Sequence, residues 1–180
     1  MFICFMVLMM TAGCQTVAAV DNQQIQVIVV ETFLADIAQN IAGDRIDVTS
    51  LMPLGVDPHS FEPMPKDIAI LSSCDLLIIN GAGYEEWLAG TLQNLPQNCL
   101  IVEASAGLVS REETGDTASM GDEHQQDPHF WLNPLNVIRY VENIRDALAA
   151  EDPEGVEAYN LNAEVYISQL TELDTWINDQ

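Results

Sequence analysis

The amino-acid sequence predicts an α/β fold: an open parallel four-stranded sheet flanked by helices and followed by one long helix. Two observations carry this expectation. Short apolar runs alternate with segments whose apolar residues recur every three to four positions, and strands alternating with helices build right-handed βαβ units. The runs are also nearly continuous in apolarity, as strands covered on both faces are.

The first strand is Ile25-Gln26-Val27-Ile28-Val29-Val30, which is rich in β-branched residues. Phe33, Leu34, Ile37, Ala38 and Ile41 then recur at helical spacing, and Gly43 supplies the stop. Ile46–Leu51 is the second strand. Lys66–Ser73 is a short helix that Pro65 can start, and Asp75–Asn80, with its core Leu76-Leu77-Ile78-Ile79, is the third strand. Tyr84–Leu95 is expected to be helical and Leu100–Glu103 to be the fourth strand. Pro134 starts a helix through Val137, Ile138, Val141, Ile144 and Leu148, and Pro153 opens the last one, which carries no Gly or Pro stop. Ligands of such sheets collect outside the carboxyl ends of the strands, so the loops after Leu51, Asn80 and Glu103 are the expected rim.

Acids outnumber bases 28 to 5, for a formal net charge of −23. That field repels phosphate backbones, which argues against a nucleic-acid partner, and it draws in cations. A surface tuned to a salty or acidic habitat would look the same. Residues 1–14 form an apolar run too short to span a bilayer, ending Thr11-Ala12-Gly13-Cys14. They read as a signal peptide whose lipoprotein-type box makes Cys14 the lipid-bearing residue, with 15–24 as a tether. The expected location is therefore extracytoplasmic, with the membrane reached through the lipid alone. Cys74 and Cys99 each precede a strand, so parallel neighbours would let the two thiols meet in an oxidising compartment; two buried free thiols are the alternative.

Two of the three histidines sit in the same tripeptide, Asp57-Pro58-His59 and Asp127-Pro128-His129. Neutral imidazole is a good transition-metal ligand when its ring is held at a fixed angle. Proline locks its own φ and restricts the preceding residue, so the tripeptide delivers the ring from a stiff loop. The first tripeptide follows the second strand, on the expected rim. A closed site takes about four ligands, and Glu62 and His124 are the candidates for further ones. A neighbouring carboxylate such as Asp57 or Asp127 would ligate directly or accept the ring's other N–H. Residues 110–126, with Glu112, Glu113, Asp116, Asp122, Glu123 and His124, read as an exposed acidic loop.

Gly55–Pro63 (GVDPHSFEP) and Asp127–Pro134 (DPHFWLNP) resemble the N-lobe signatures of the zinc- or manganese-binding substrate-binding proteins of bacterial ABC transporters. In that family two lobes are joined by one long helix. The resemblance runs from about Ile25 to the end. It implies that His59 and His129 are metal ligands, that 25–152 is the N-terminal lobe, that 110–126 occupies the place of the family's metal-rich loop, and that 153–180 begins the interlobe helix. The third histidine and the carboxylate ligand of the family lie in a C-terminal lobe that this chain does not reach, so a fragment or a half-receptor is expected. The implied function is capture of a divalent metal, zinc ahead of manganese, by a monomer that delivers it to an ABC permease, with no catalysis. A metal-dependent adhesin-type lipoprotein is an alternative. A zinc hydrolase is a weaker one, because no His-Glu-x-x-His helix or nucleophile elbow is present.

Overall fold

The computed structural model describes residues 24–109 and 127–180. Four strands, β1 (Val27–Val29), β2 (Val48–Ser50), β3 (Leu76–Ile79) and β4 (Leu100–Glu103), form one sheet in the order β2-β1-β3-β4. Every neighbouring pair is parallel. The helices are α1 (Thr32–Ala42), α2 (Pro65–Leu71), α3 (Pro134–Glu151) and α4 (Val156–Asn178). The expected open parallel sheet with flanking helices and a long final helix is what forms.

The continuous apolar runs are explained by burial on both faces. Val27, Val29, Leu76 and Ile78 face α1, α3 and α4 through Leu34, Ile41, Tyr140, Ile144 and Tyr159. Ile28, Val30 and Leu77 point the other way, against Leu51, Phe61, Leu71 and Leu88. Full burial of one such side chain stabilises the fold by roughly 1.5–3 kcal/mol. Gln39 fastens the turn from α1 to β2: its amide donates to the carbonyls of Gly43 (2.7 Å) and Ile46 (3.0 Å) and accepts Val48 N–H at 3.0 Å.

The strands are shorter than their apolar runs, although pairing continues past them: Val30 N–H donates to Ile78 at 3.1 Å and Leu51 N–H to Val29 at 2.8 Å. The helix expected over Tyr84–Leu95 is instead two 3₁₀ stretches, Glu86–Gly90 and Leu92–Asn94. The hydroxyl of Thr91 donates to Leu88 C=O at 2.7 Å and the Asn94 amide to Thr91 C=O at 3.0 Å, so side chains take acceptors that a continuous α-helix would use. Likewise, Pro153–Gly155 is a 3₁₀ turn before α4 begins.

In chain order β1 leads to β2 on one side, and the chain then crosses to β3 on the other. The order therefore reverses between β1 and β3, and the crevice outside their carboxyl ends is where such sheets bind ligands. Glu31 leaves β1 there, and Asn80–Glu85 leaves β3 there. Among the described residues, no helix is long and apolar enough to cross a membrane.

Candidate metal centre

Each Asp-Pro-His segment closes a small turn through its own aspartate. Asp57 Oδ1 accepts His59 N–H at 3.0 Å, and Asp127 Oδ1 accepts His129 N–H at 3.0 Å. An aspartate that bonds the backbone two residues on, with proline between, is a preorganised turn, so little further ordering is needed to present the ring.

The two rings come together on the strand-end rim, with centroids 5.9 Å apart and planes at 58°. Two imidazoles on one tetrahedral ion, each bonded at roughly 2.1 Å, would have centroids about 5.3 Å apart. The observed separation is thus close to what a shared ion demands, and a small ring movement closes the gap. Tyr84 packs edge-on to both, at 5.1 Å from His59 and 5.6 Å from His129. Trp131 lies 5.2 Å from His129 and stacks at 4.3 Å on Phe33 of α1, which backs the ring with a rigid aromatic wall.

Tautomers follow from hydrogen bonds. His129 Nδ1 lies 2.7 Å from Asp127 Oδ1, so Nδ1 carries the hydrogen and Nε2 is left with its lone pair free for a cation. The His129 backbone N–H and then its ring hold the Asp127 carboxyl below the usual carboxylate range. Among the described residues, no such partner fixes the His59 ring, which is exposed apart from its contacts with Tyr84 and His129. The phenol of Tyr84 is pushed up to about 12 by burial first and by Glu31 and Glu85 next, so it stays neutral near pH 7 and acts as a wall rather than an anionic ligand.

Asn80, fully buried at the end of β3, ties the crevice together. Its side-chain amide donates to Pro128 C=O at 3.1 Å, which seats the second tripeptide on the sheet, and its Oδ1 accepts the Tyr140 hydroxyl of α3. The next three residues, Gly81, Ala82 and Gly83, have φ of 82°, 53° and 78°. This left-handed run turns the chain back so that Tyr84 reaches the rings. At Gly81 a Cβ would also sit 2.9 Å from the Glu103 side chain, so both φ and space favour glycine. None of Asn80, Tyr84, Trp131, Glu31 or Glu85 was singled out from the sequence; the Gly-Ala-Gly step directly after an apolar strand was the available signal.

Of the other candidates, Glu62 is exposed, and among the described residues no three His, Cys, Asp or Glu side chains come together to hold a metal, so Glu62 is not brought to the histidines. Pro58–Ser60 is a single 3₁₀ turn, and a glutamate three residues beyond His59 lies past its end, after the chain has gone extended at Phe61. His124, with the acidic loop, and Cys14 lie outside the described residues. Cys74 and Cys99 are free thiols that face each other, and burial pushes both up.

The fold is a parallel α/β lobe that brings two imidazole rings within 5.9 Å of each other beyond its strand ends. The chain belongs to the family described as zinc-uptake complex component A, periplasmic, whose model matches residues 27–180. It is 38% identical over 182 residues to the manganese-binding lipoprotein MntA of Halalkalibacterium halodurans, a match that covers 99% of this chain and 58% of that protein. Among solved structures it resembles the Mn-bound periplasmic metal binding protein of candidatus liberibacter asiaticus, with TM-score 0.73 and 32% identity over 81% of this chain and 53% of the other. It also resembles Zn(II)-bound AdcA of Streptococcus pneumoniae, with TM-score 0.72 and 28% identity over 84% of this chain and 32% of that one. The chain thus spans little more than half the length of the curated relative.

Proposed function

We propose that this chain is the histidine-bearing lobe of an extracytoplasmic substrate-binding protein that captures a divalent transition metal and hands it to the permease of an ABC importer. His59 and His129 bind the ion, His129 through Nε2. The observation that carries this reading is the pair of imidazoles 5.9 Å apart, one of them already oriented by a carboxylate. In the same reading residues 25–152 form the lobe, Cys14 bears the lipid, the protein works as a monomer, and 153–180 begins the interlobe helix. Support for the last point comes from Leu173, Trp176 and Ile177, which are exposed on α4 beyond Leu170, the last buried residue of that helix.

Two imidazoles fill half of a four-ligand shell, and the family resemblance puts the remaining ligands in a second lobe. Imidazole chemistry ranks zinc ahead of manganese, whereas the Halalkalibacterium relative is manganese-binding by name, so both ions belong in the test. Zinc and manganese titrations of the purified chain, followed by calorimetry, are expected to give saturable one-to-one binding that is lost in His59→Ala and in His129→Ala. Unchanged affinity in both variants overturns the assignment, and metal-dependent hydrolysis would favour the enzyme alternative.

A further inference from the structure

Beside Tyr84, which packs edge-on to both histidines, lies a pair of buried acids that the metal reading does not use. Glu31 leaves β1 at the position where it would cap α1, yet its side chain makes no cap hydrogen bond; it turns inward and is 3% exposed. Neither of its carboxyl oxygens receives an N–H or O–H from the described residues, and the group it meets is the carboxyl of Glu85, itself 7% exposed. Glu85 is an acceptor on both oxygens: Oε1 takes Asn80 N–H and Oε2 takes Gly81 N–H at 3.1 Å.

Among the described residues no Lys or Arg neutralises this pair. Among the described residues Arg45, Arg139 and Arg145 are paired with Asp152, Glu142 and Asp146, and Lys66 is exposed on α2. The other titratable groups around the pair are the phenols of Tyr84 and of Tyr140 on α3, with Asp57 acting on Tyr84 from the first tripeptide loop and Glu103 at the end of β4 lying against Gly81. Two adjacent buried carboxylates with no cation are prohibitively unfavourable, and one proton between them resolves the conflict. The backbone donors already assign the roles. Glu85, which accepts two N–H groups, is the carboxylate, and Glu31, which accepts none, is the acid.

We propose that Glu31 is held as a neutral acid donating to Glu85, and that this acid–carboxylate pair positions both metal-binding imidazoles through the Asn80–Tyr84 loop. The proposal rests on His59 and His129 being the ligands. Glu85 clamps the first two amides of the left-handed loop. That loop swings Tyr84 against both rings, and the same Asn80 holds Pro128 C=O and with it the His129 turn. Glu31 and Glu85 act through that loop and are positioning residues. Burial first, and then the charge of Glu85, raise the Glu31 carboxyl far above its usual 4.5; burial also raises Glu85, against the amides of Asn80 and Gly81 and the hydrogen bond from Glu31.

The sign of the pH effect follows. A carboxyl raised in the folded state holds a proton that the unfolded chain has released, so its contribution is complete below the unfolded value and declines as pH rises toward the folded one. Glu31→Gln keeps the shape and the donor of the neutral acid without a titration. Urea unfolding of the metal-free chain and of Glu31→Gln should therefore diverge between about pH 5 and about pH 9, the variant gaining up to about tenfold in the folding equilibrium per pH unit. Infrared spectra of the wild type should show a protonated carboxylic acid at about pH 8 that Glu31→Gln lacks. In metal titrations Glu85→Gln, and Glu85→Asp with its shorter reach, should bind roughly 10–100-fold more weakly than wild type.

A pH-independent difference between wild type and Glu31→Gln, or no acid band, overturns the shared proton. Wild-type affinity in either Glu85 variant overturns the positioning role, and Glu85→Asp supplies that reading if Glu85→Gln does not fold. The stability and infrared arms use no metal. Their success beside a wild-type chain that binds no ion would sink the metal reading and the positioning role while leaving the proton pair standing.

Discussion

The two Asp-Pro-His loops share a tripeptide and the same aspartate-to-amide bond at 3.0 Å, yet they hold their rings differently. At His129 the aspartate also grips the ring nitrogen at 2.7 Å, Asn80 fastens the proline carbonyl at 3.1 Å, and Trp131 backs the imidazole. The His59 ring has edge contact with Tyr84 and an exposed approach. A stiff tripeptide therefore sets the backbone, while neighbours from other elements decide how far the ring is preorganised. In the proposed function, one fixed and one adjustable imidazole would suit capture followed by release, because preorganisation strengthens binding and a movable ligand lowers the barrier to leaving.

The contrast is most directly broken at the aspartates. Asp127→Asn should weaken metal binding roughly 10–100-fold, the usual range when a partner that orients a ligand is lost. Asp57→Asn, which removes only a backbone turn contact, should change it by less than about threefold. Calorimetry on the two variants gives the ratio, and equal losses would erase the distinction between the loops.

Asn80→Ala sharpens the same contrast from the protein side. It leaves the Pro128 carbonyl without its partner and removes one of the partners of the buried Tyr140 hydroxyl, a destabilisation of about 1–3 kcal/mol that urea unfolding would register. Metal binding should weaken with it because the His129 turn loses its anchor.

Acid unfolding supplies a control that treats both loops alike. Asp152, before α4, is held down to about 2 from the usual 3.8 by the Arg45 guanidinium chiefly and then by the Tyr159 hydroxyl, against burial acting the other way. A depressed carboxyl contributes stability that is complete above its unfolded value and lost as pH falls through the folded one. Circular dichroism across about pH 4 to pH 2 should therefore show a stability loss that Arg45→Met reduces.

The smallest effect on the site is expected at Cys74 and Cys99. They precede β3 and β4 and thus lie at the amino ends of the strands, away from the histidines. We propose that in an oxidising compartment they form a disulfide, two thiols giving two protons and two electrons to a disulfide-class oxidant. Peptide mapping after treatment with oxidised glutathione should show Cys74 linked to Cys99, with metal affinity unchanged. Cys74 and Cys99 both persisting as thiols under those conditions would leave the pair as packing residues.

Much of the architecture is legible in the sequence alone, because continuous apolar runs such as Leu76–Ile79 and the helical spacing of Leu34, Ile37 and Ile41 report burial directly. The duplicated tripeptide marked the candidate ligands for a similar reason: proline stiffness and imidazole chemistry are local properties. What stayed hidden is tertiary. Nothing in the text of residues 80–85 says that Asn80 will clasp Pro128 across 48 positions, or that Glu31 will decline its helix cap to meet Glu85. The Tyr84–Leu95 helix was misread because the side chains of Thr91 and Asn94 compete for backbone carbonyls, which apolar periodicity does not register.

The most direct test is a crystal of the chain grown with zinc or manganese, with anomalous data collected at the metal edge. The account predicts one peak within bonding distance, roughly 2.0–2.2 Å, of His129 Nε2 and of a His59 ring nitrogen. A peak on one ring alone, or on His129 Nδ1, would contradict it.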